Sequence, residues 1–253
     1  SLTNLKMLDL SNNPCRIKIS SMPPNLTSLY LNFVTWSDQT LFYLISNLPK
    51  HYFNLYMCNT LASPIEWRAF YSYLPTIKGP FGLESLGFDG NSIHPNFFNF
   101  LSENNRLSYL SINGCLAESD STNVAALCKY IASSKTLEEL IIKGSKTIYL
   151  GRALDAVITS CIQSKNIHTL DNRGGDSSIN IMRQFVTTKN SLETLVFDGM
   201  GVNATSLYVD FLRNAINSKK LNLSFPFFDL MNLVKKEAIS KQDFLQIKDL
   251  FAS

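Results

Sequence analysis

The strongest constraint on the fold is the spacing of leucines in the stretch LKMLDLSNN, which runs from Leu5 to Asn13. Leu8 and Leu10 alternate as on a short β-strand, so both side chains are predicted to enter a core that Leu5 enters just before the strand. Asn13 carries an amide that can satisfy backbone groups where the chain leaves the strand. One such unit cannot bury its own apolar face, so it has to stack on neighbouring copies.

Weaker copies of this stretch return along the chain at intervals of 21 to 31 residues. The longer intervals leave room for a helix after the strand, whereas the shortest leaves room only for an extended return. The first positions of the predicted copies are Leu5, Leu26, Tyr52, Leu83, Leu107, Leu137, Ile167, Leu192 and Ser218. Glycine precedes the turn position in five copies and predicts positive φ at Gly90, Gly114, Gly144, Gly174 and Gly199.

The segments between the predicted strands carry the start and stop signals of helices. A Ser-Asp pair at 37–38 predicts a helix that ends before Pro49, and a Ser-Pro pair at 63–64 predicts a second helix that Pro75 stops. The second helix is predicted to have an apolar side made of Ile65, Trp67, Phe70, Tyr71 and Leu74. Further helices are predicted to begin at Pro95 and to cover 121–133, 151–163, 177–188 and 204–217.

The pattern stops after the ninth predicted strand, Leu221-Asn222-Leu223. Two short helical stretches follow, over 229–238 and 241–251, and we interpret them as a cap that covers the last copy. An amphipathic segment that docks a partner is the alternative. The sequence therefore predicts an α/β fold with one repeat domain over 1–226 and a helical C-terminal cap over 227–253.

The L-x-x-L-x-L-x-x-N spacing and its copies, from Leu5 to Pro226, resemble the leucine-rich-repeat family. The long repeats are similar to the intracellular, ribonuclease-inhibitor-like class and, loosely, to the repeat domains of CARMIL and tropomodulin. The resemblance implies a solenoid of about nine repeats, with a curved parallel sheet inside and helices outside. It also implies a non-catalytic, cytoplasmic scaffold that binds a protein partner, in regulation of the actin cytoskeleton or in signalling.

In that geometry the residues between the core leucines line the concave face. Tyrosines there offer large contact area at small entropic cost, which suits protein interfaces. The charged residues there either fix the register of a partner or neutralise one another in a ladder between strands. The candidate partner-binding residues are Tyr30, Tyr56, Asp89, Tyr109, Glu139, Lys143, Asp171, Arg173 and Asp198.

Composition argues against several other classes of function. The net charge of +3 is small and the basic residues are scattered, so neither nucleic acid nor an anionic membrane is indicated as a partner. No apolar run approaches the roughly 20 residues of a membrane-spanning helix. None of the three histidines lies in a motif with a nucleophile, so we predict no catalytic residues.

Cysteine usage favours free thiols. The spacings are wide and irregular and match no zinc pattern, so we predict no metal site and no cofactor. Buried thiols in a reducing compartment are the interpretation for Cys15, Cys58, Cys115, Cys128 and Cys161.

Other hypotheses remain open at this stage. A GTPase-activating repeat protein would depend on an arginine in an early loop, for which Arg16 is the candidate. A pathogen effector or a receptor ectodomain is a further alternative. The chain begins inside a repeat, which we interpret as a piece of a longer protein. The uncapped first repeat predicts a homodimer through the apolar surface of Leu2, Leu8 and Ile17.

Overall fold

A computed structural model describes residues 2–13, 21–144, 150–174, 177–197, 211, 214, 222–224, 235 and 240–252. Within these residues, nine short strands form one parallel sheet in which each strand pairs with the next along the chain. The strands are β1 Met7–Asp9, β2 Ser28–Tyr30, β3 Phe53–Tyr56, β4 Leu83–Gly87, β5 Tyr109–Ser111, β6 Glu139–Ile141, β7 Thr169–Asp171, β8 Thr194–Val196 and β9 Asn222–Ser224. The predicted α/β class is confirmed.

The strands share one register that is set by leucine. At the centre of each strand a leucine is paired with the central leucine of the next strand. Parallel neighbours need a crossover connection between them, and most of these connections contain a helix. The central leucines are Leu8, Leu29, Leu55, Leu86, Leu110, Leu140, Leu170, Leu195 and Leu223.

The register of the ninth strand differs from the prediction. The predicted alignment places Leu221 at the central position, whereas the structure pairs Leu223 with Leu195. A shift by two residues leaves the same side chains on the same face of a strand. The alternation of Leu221, Leu223 and Phe225 therefore could not fix the register, and the first position of this copy moves from Ser218 to Lys220.

The helices begin and end close to their sequence signals. They are α1 Asp38–Ser46, α2 Pro64–Tyr73, α3 Pro95–Ser102, α4 Ser121–Ser133, α5 Ala153–Gln163, α6 Ile179–Thr188 and α7 Lys241–Ala252. Ser63 and Glu66 form a reciprocal capping box, in which each side chain accepts a hydrogen bond from the other residue's backbone N–H. The predicted helices 204–217 and 229–238 lie outside the described residues except for three helical positions, at 211, 214 and 235.

Helix α2 corrects one detail of the predicted apolar face. Trp67, Phe70 and Tyr71 are buried as expected, but Ile65 is 76% exposed. Ile65 lies only two residues before Trp67, and residues two apart do not share a face of a helix. Pro75 does end the helix, within a short 3₁₀ turn at Leu74–Thr76.

The core contains a belt of aromatic rings between the sheet and the helices. Phe88, just after β4, contacts Trp67 of α2 and Phe97 of α3, with ring centroids 5.7 and 4.5 Å away. Phe98 of α3 in turn lies 6.4 Å from the ring of Tyr130 in α4. These rings join successive units sideways, so the core is continuous along the sheet.

Positive φ at the residue before the turn position is found in more copies than predicted, because it also occurs at residues other than glycine. Gly90, Gly114 and Gly174 have φ of 66°, 64° and 74°, which confirms the prediction for these three. The first three copies place Asn12, Phe33 and Asn59 in the same conformation, with φ of 60°, 57° and 51°.

Gly144 contradicts the same prediction, because its φ is not positive. A Cβ on Gly144 would lie 2.3 Å from the carbonyl oxygen of Gly174, so close approach of the next copy explains this glycine. Gly199 lies outside the described residues.

In the C-terminal helix α7, Phe244 is half-buried and packs against the core cluster. This contact fits a segment that docks on the repeat units. The predicted boundary between residues 226 and 227 lies outside the described part of the chain. The division into a repeat domain and a cap therefore stays a prediction.

Candidate functional site

The sheet has one face that packs into the core and one that does not. The central leucines of β2–β8 belong to the core cluster together with residues of the helices, and Leu8 of β1 packs against it. Side chains alternate along a strand, so the residues on either side of each leucine lie on the opposite face. We call this the open face, and in β1–β5 it comprises Met7, Asp9, Ser11, Ser28, Tyr30, Asn32, Asn54, Tyr56, Cys58, Ser85, Gly87, Asp89, Tyr109, Ser111 and Asn113.

Two of the predicted tyrosines form a stack on the open face. Tyr30 and Tyr56 are register partners on β2 and β3, and their rings are 5.0 Å apart and inclined by 5°. Both side chains are half-buried. A Cβ at the next position, Gly87, would lie 2.6 Å from Cδ1 of Tyr56. The glycine therefore provides the space in which the Tyr56 ring lies.

The phenol groups have polar neighbours on the open face. The Tyr56 phenol interacts with the side chain of Ser85 on the neighbouring strand β4, and the Tyr109 phenol with the side chain of Ser111 on its own strand β5. Burial raises the pKa of Tyr56 and the pKa of Tyr109, so both phenols stay protonated at neutral pH. The structure thus places Tyr30, Tyr56 and Tyr109 on β2, β3 and β5 of one surface.

Asp89 is a structural link between β4 and β5. Its Oδ1 accepts hydrogen bonds from the Ser111 hydroxyl at 2.7 Å and from the Asn113 backbone N–H at 2.8 Å. Its Oδ2 accepts a further bond from the Asn113 amide at 2.8 Å. Because Asp89 accepts a hydrogen bond from a backbone N–H of the next copy, it stabilises the end of the strand. It also contributes a negative charge to the open face.

Asp171 lies between two cations. Arg173 donates to it in a bidentate manner, with Nε–Oδ1 and Nη2–Oδ2 distances of 3.0 and 2.7 Å. Lys143 Nζ lies 3.0 Å from Oδ2. Burial alone would raise the pKa of Asp171, but the bonds and charges of Arg173 and Lys143 outweigh it and hold the pKa below its usual value. This cluster matches the predicted ladder between strands.

We expect the Asp171 cluster to stabilise the fold in a pH-dependent way. The pKa of Asp171 is lower in the folded than in the unfolded chain, so its stabilisation is complete above the unfolded value near 3.8 and disappears as the pH falls through the lower, folded value. Asp171→Asn should lower the free energy of unfolding by about 1 kcal/mol at pH 7, because the two cations are partly exposed. Urea unfolding from pH 7 to pH 2.5 measures the difference.

The matched control is Asp249→Asn, on the exposed surface of α7. This variant should leave the free energy of unfolding unchanged at every pH. A difference between wild type and Asp171→Asn that stays constant down to pH 2.5 would contradict the assignment.

The remaining candidates divide between described and undescribed parts of the chain. Glu139 is half-buried on β6, beside the Tyr109 position of β5. Asp198 lies outside the described residues. The described candidates thus form one group of three tyrosines with Asp89 on β2–β5 and one group of charged residues at β6–β7.

Sequence reasoning missed a ladder of amides along the open face. Asn32 Oδ1 accepts a hydrogen bond from the backbone N–H of Cys58 at 2.8 Å, and Asn113 Oδ1 does the same for Lys143 at 2.7 Å. Asp89 has the equivalent role between them. The recurrence of Asn or Asp two residues before the turn position was the available signal.

Burial disfavours the thiolate form of the described cysteines. Burial raises the pKa of Cys58 to about 11 and the pKa values of Cys115 and Cys161 to about 12. These three and Cys128 are free cysteines, whereas Cys15 lies outside the described residues. In the described part of the chain, no group of His, Cys, Asp and Glu could hold a metal ion.

The histidines have local partners. His94 Nδ1 accepts the Asn96 backbone N–H at 3.1 Å and caps helix α3. His51 Nε2 is bonded to the carbonyl of Leu26 at 2.8 Å. His168 lies between two carboxylates, with Nε2 3.5 Å from Glu138 and Nδ1 3.8 Å from Glu193. His168 Nδ1 also lies 3.2 Å from the hydroxyl oxygen of Thr169 on β7.

In comparisons with known proteins, no family model and no curated protein matches the chain. Of the helices described, none is both long enough and apolar enough to cross a membrane.

Proposed function

We propose that the chain is a leucine-rich-repeat solenoid of about nine repeats that acts as a non-catalytic scaffold and binds a protein partner on its open, concave face. The in-register leucine columns and the strand order support the architecture. The resemblance to CARMIL and tropomodulin repeats extends the proposal to regulation of the actin cytoskeleton or of signalling in the cytoplasm. The free thiols of the described cysteines fit a reducing compartment.

The observation that carries the proposal is the stack of Tyr30 and Tyr56 on the open face. Half-buried aromatic rings are an unfavourable choice for a surface that only has to stay in water. Here the rings are held in place by each other and by the space above Gly87. Rigid tyrosines of this kind bind a partner with little loss of side-chain entropy.

Photocrosslinking tests the proposed face. A benzoylphenylalanine placed at Tyr109 should capture a discrete partner from an extract of the source cells, because this position lies on the open face. The matched probe at Ile65, which is exposed on helix α2, should not. Combining Tyr30→Ser with Tyr56→Ser should lower the capture at Tyr109 by about ten-fold, as expected for loss of central aromatic contacts.

Capture of the same partner at Ile65, or full capture by the double variant, would contradict the proposal. Circular dichroism and the unfolding midpoint of each variant establish that it is folded. The alternative function as a GTPase activator has no observation in its favour, since Arg16 lies outside the described residues. The predicted homodimer stays a prediction: Leu2 is 67% exposed and Leu8 is half-buried, while Ile17 lies outside the described residues.

A further inference from the structure

The open face carries an asymmetric row of side chains across its first four strands. Asp9, Tyr30, Tyr56 and Gly87 are successive register partners. One face of the Tyr30 ring is covered by Tyr56. On its other side the neighbouring strand is only about 4.8 Å away and presents Asp9, a short side chain. A planar group could therefore lie against Tyr30 on that side with a carboxylate next to it.

The carboxylate of Asp9 can contact a cationic group of a partner. Its side chain is exposed, and the backbone N–H of Ser11 donates a hydrogen bond to Oδ1 at 2.9 Å. That bond lowers the pKa of Asp9, so the carboxylate is ionised at neutral pH. Among the described residues no cation lies within ion-pair distance of Asp9, in contrast to Asp171, which two cations neutralise.

The charge on the open face changes sign along the sheet. The positions defined above for β1–β5 include Asp9 and Asp89 and contain no lysine, arginine or histidine. The first basic residue of the face is Lys143, which follows β6 and lies with Arg173 against Asp171. The aromatic half of the face is therefore electronegative, and a partner segment that fits it carries positive charge.

We infer that the open face of β1–β3 binds an arginine side chain of the protein partner, with the guanidinium stacked on Tyr30 and its charge against Asp9. A guanidinium is planar, stacks on aromatic rings and binds carboxylates through a fixed set of donors. An ammonium group lacks the planar shape, so arginine is favoured over lysine. This inference rests on the proposed function and specifies the chemistry of its ligand.

The test uses three fluorescent peptides that are identical except at two positions. These two positions carry arginine in the first peptide, its neutral analogue citrulline in the second and glutamate in the third. The affinity of the full chain for each peptide is measured by fluorescence anisotropy. The arginine peptide should bind about ten-fold more tightly than the citrulline peptide, and the glutamate peptide should bind most weakly. Raising the salt to 0.5 M should reduce this preference, because Asp9 is exposed to solvent.

Two substitutions localise the binding. Tyr30→Leu and Asp9→Asn should each lower the affinity for the arginine peptide by about five-fold and leave the affinity for the citrulline peptide nearly unchanged. The matched controls are Tyr73→Leu, at an exposed tyrosine of α2, and Asp249→Asn on α7, which should have no effect. Equal affinities for arginine and citrulline, preference for glutamate, no measurable binding, or insensitivity to Tyr30→Leu would each overturn the inference.

Crosslinking at Tyr109 separates this inference from the proposed function. If the Tyr109 probe captures a partner and neither excess arginine peptide nor Asp9→Asn changes the yield, the scaffold proposal holds and the arginine inference fails. If the probe captures the same partner as the probe at Ile65, the proposed function fails whatever the peptides show.

Discussion

Replacing Phe88 with alanine is expected to lower the free energy of unfolding by about 4 kcal/mol, in the range measured for large aromatic residues in cores. Phe88 is only 2% exposed and lies between Trp67 of α2 and Phe97 of α3. The substitution removes ring contacts on both sides and leaves a cavity between two successive units. Neighbouring units of a stacked fold stabilise one another, so the loss should appear as a lower midpoint in urea unfolding.

Phe33→Ala is the matched control for this experiment. Phe33 is 49% exposed, so removing its ring should change the free energy of unfolding by less than about 0.5 kcal/mol. Its φ of 57° is as unfavourable for alanine as for phenylalanine, so the backbone contribution cancels. Similar losses for the two variants would show that the aromatic belt does not connect the units as described.

The leucine spacing was enough to predict the order of the strands, because the copies from β2 to β8 bury the same column of side chains. Leu86, Leu110 and Leu140 are nearly or fully buried and pair as the spacing requires. The register of the last strand could not be predicted in the same way. Alternation repeats every two residues, so Leu221 and Leu223 satisfy the pattern equally well and only pairing with Leu195 distinguishes them.

The composition of the open face could also be predicted, but its internal contacts could not. Tyr30 and Tyr56 occupy the same position in successive copies, so a stack between them was within reach of the sequence. The contacts of Asp89 and Asp171 depend on side-chain rotamers and on distances between strands. For both residues the sequence left open whether they contact a partner or take part in a ladder between strands, and the contacts show that each is bonded to a neighbouring copy.

Positive φ at Phe33 shows a different limit of sequence reasoning. Glycine identifies this conformation in later copies because it adopts positive φ without strain. A phenylalanine gives no such signal, and the conformation follows only from its place in the turn. The geometry of the repeated turn thus takes precedence over the local preference of the residue.

The second large effect is expected for Asn91→Ala, which should lower the free energy of unfolding by about 3 kcal/mol through buried groups left without partners. The Asn91 amide nitrogen donates to the carbonyls of Met57 and Phe88 at 2.7 and 3.0 Å. Its Oδ1 accepts from the backbone N–H and the hydroxyl of Thr60, at 2.8 and 2.7 Å. The side chain is 4% exposed, so water cannot replace these bonds without opening the turn.

Asn13→Ala is the matched control, because Asn13 occupies the same turn position in the first copy. With the described residues its amide makes one good hydrogen bond, to the carbonyl of Leu10 at 2.6 Å, at a half-buried site. Water can reach the freed carbonyl there, so the expected loss is only about 1 kcal/mol. Asn91 differs because it bonds to the preceding copy through Met57 and Thr60 as well as to its own strand. Equal losses for the two variants in urea unfolding would mean that the bonds between copies add nothing, and that Asn91 stabilises only its own turn.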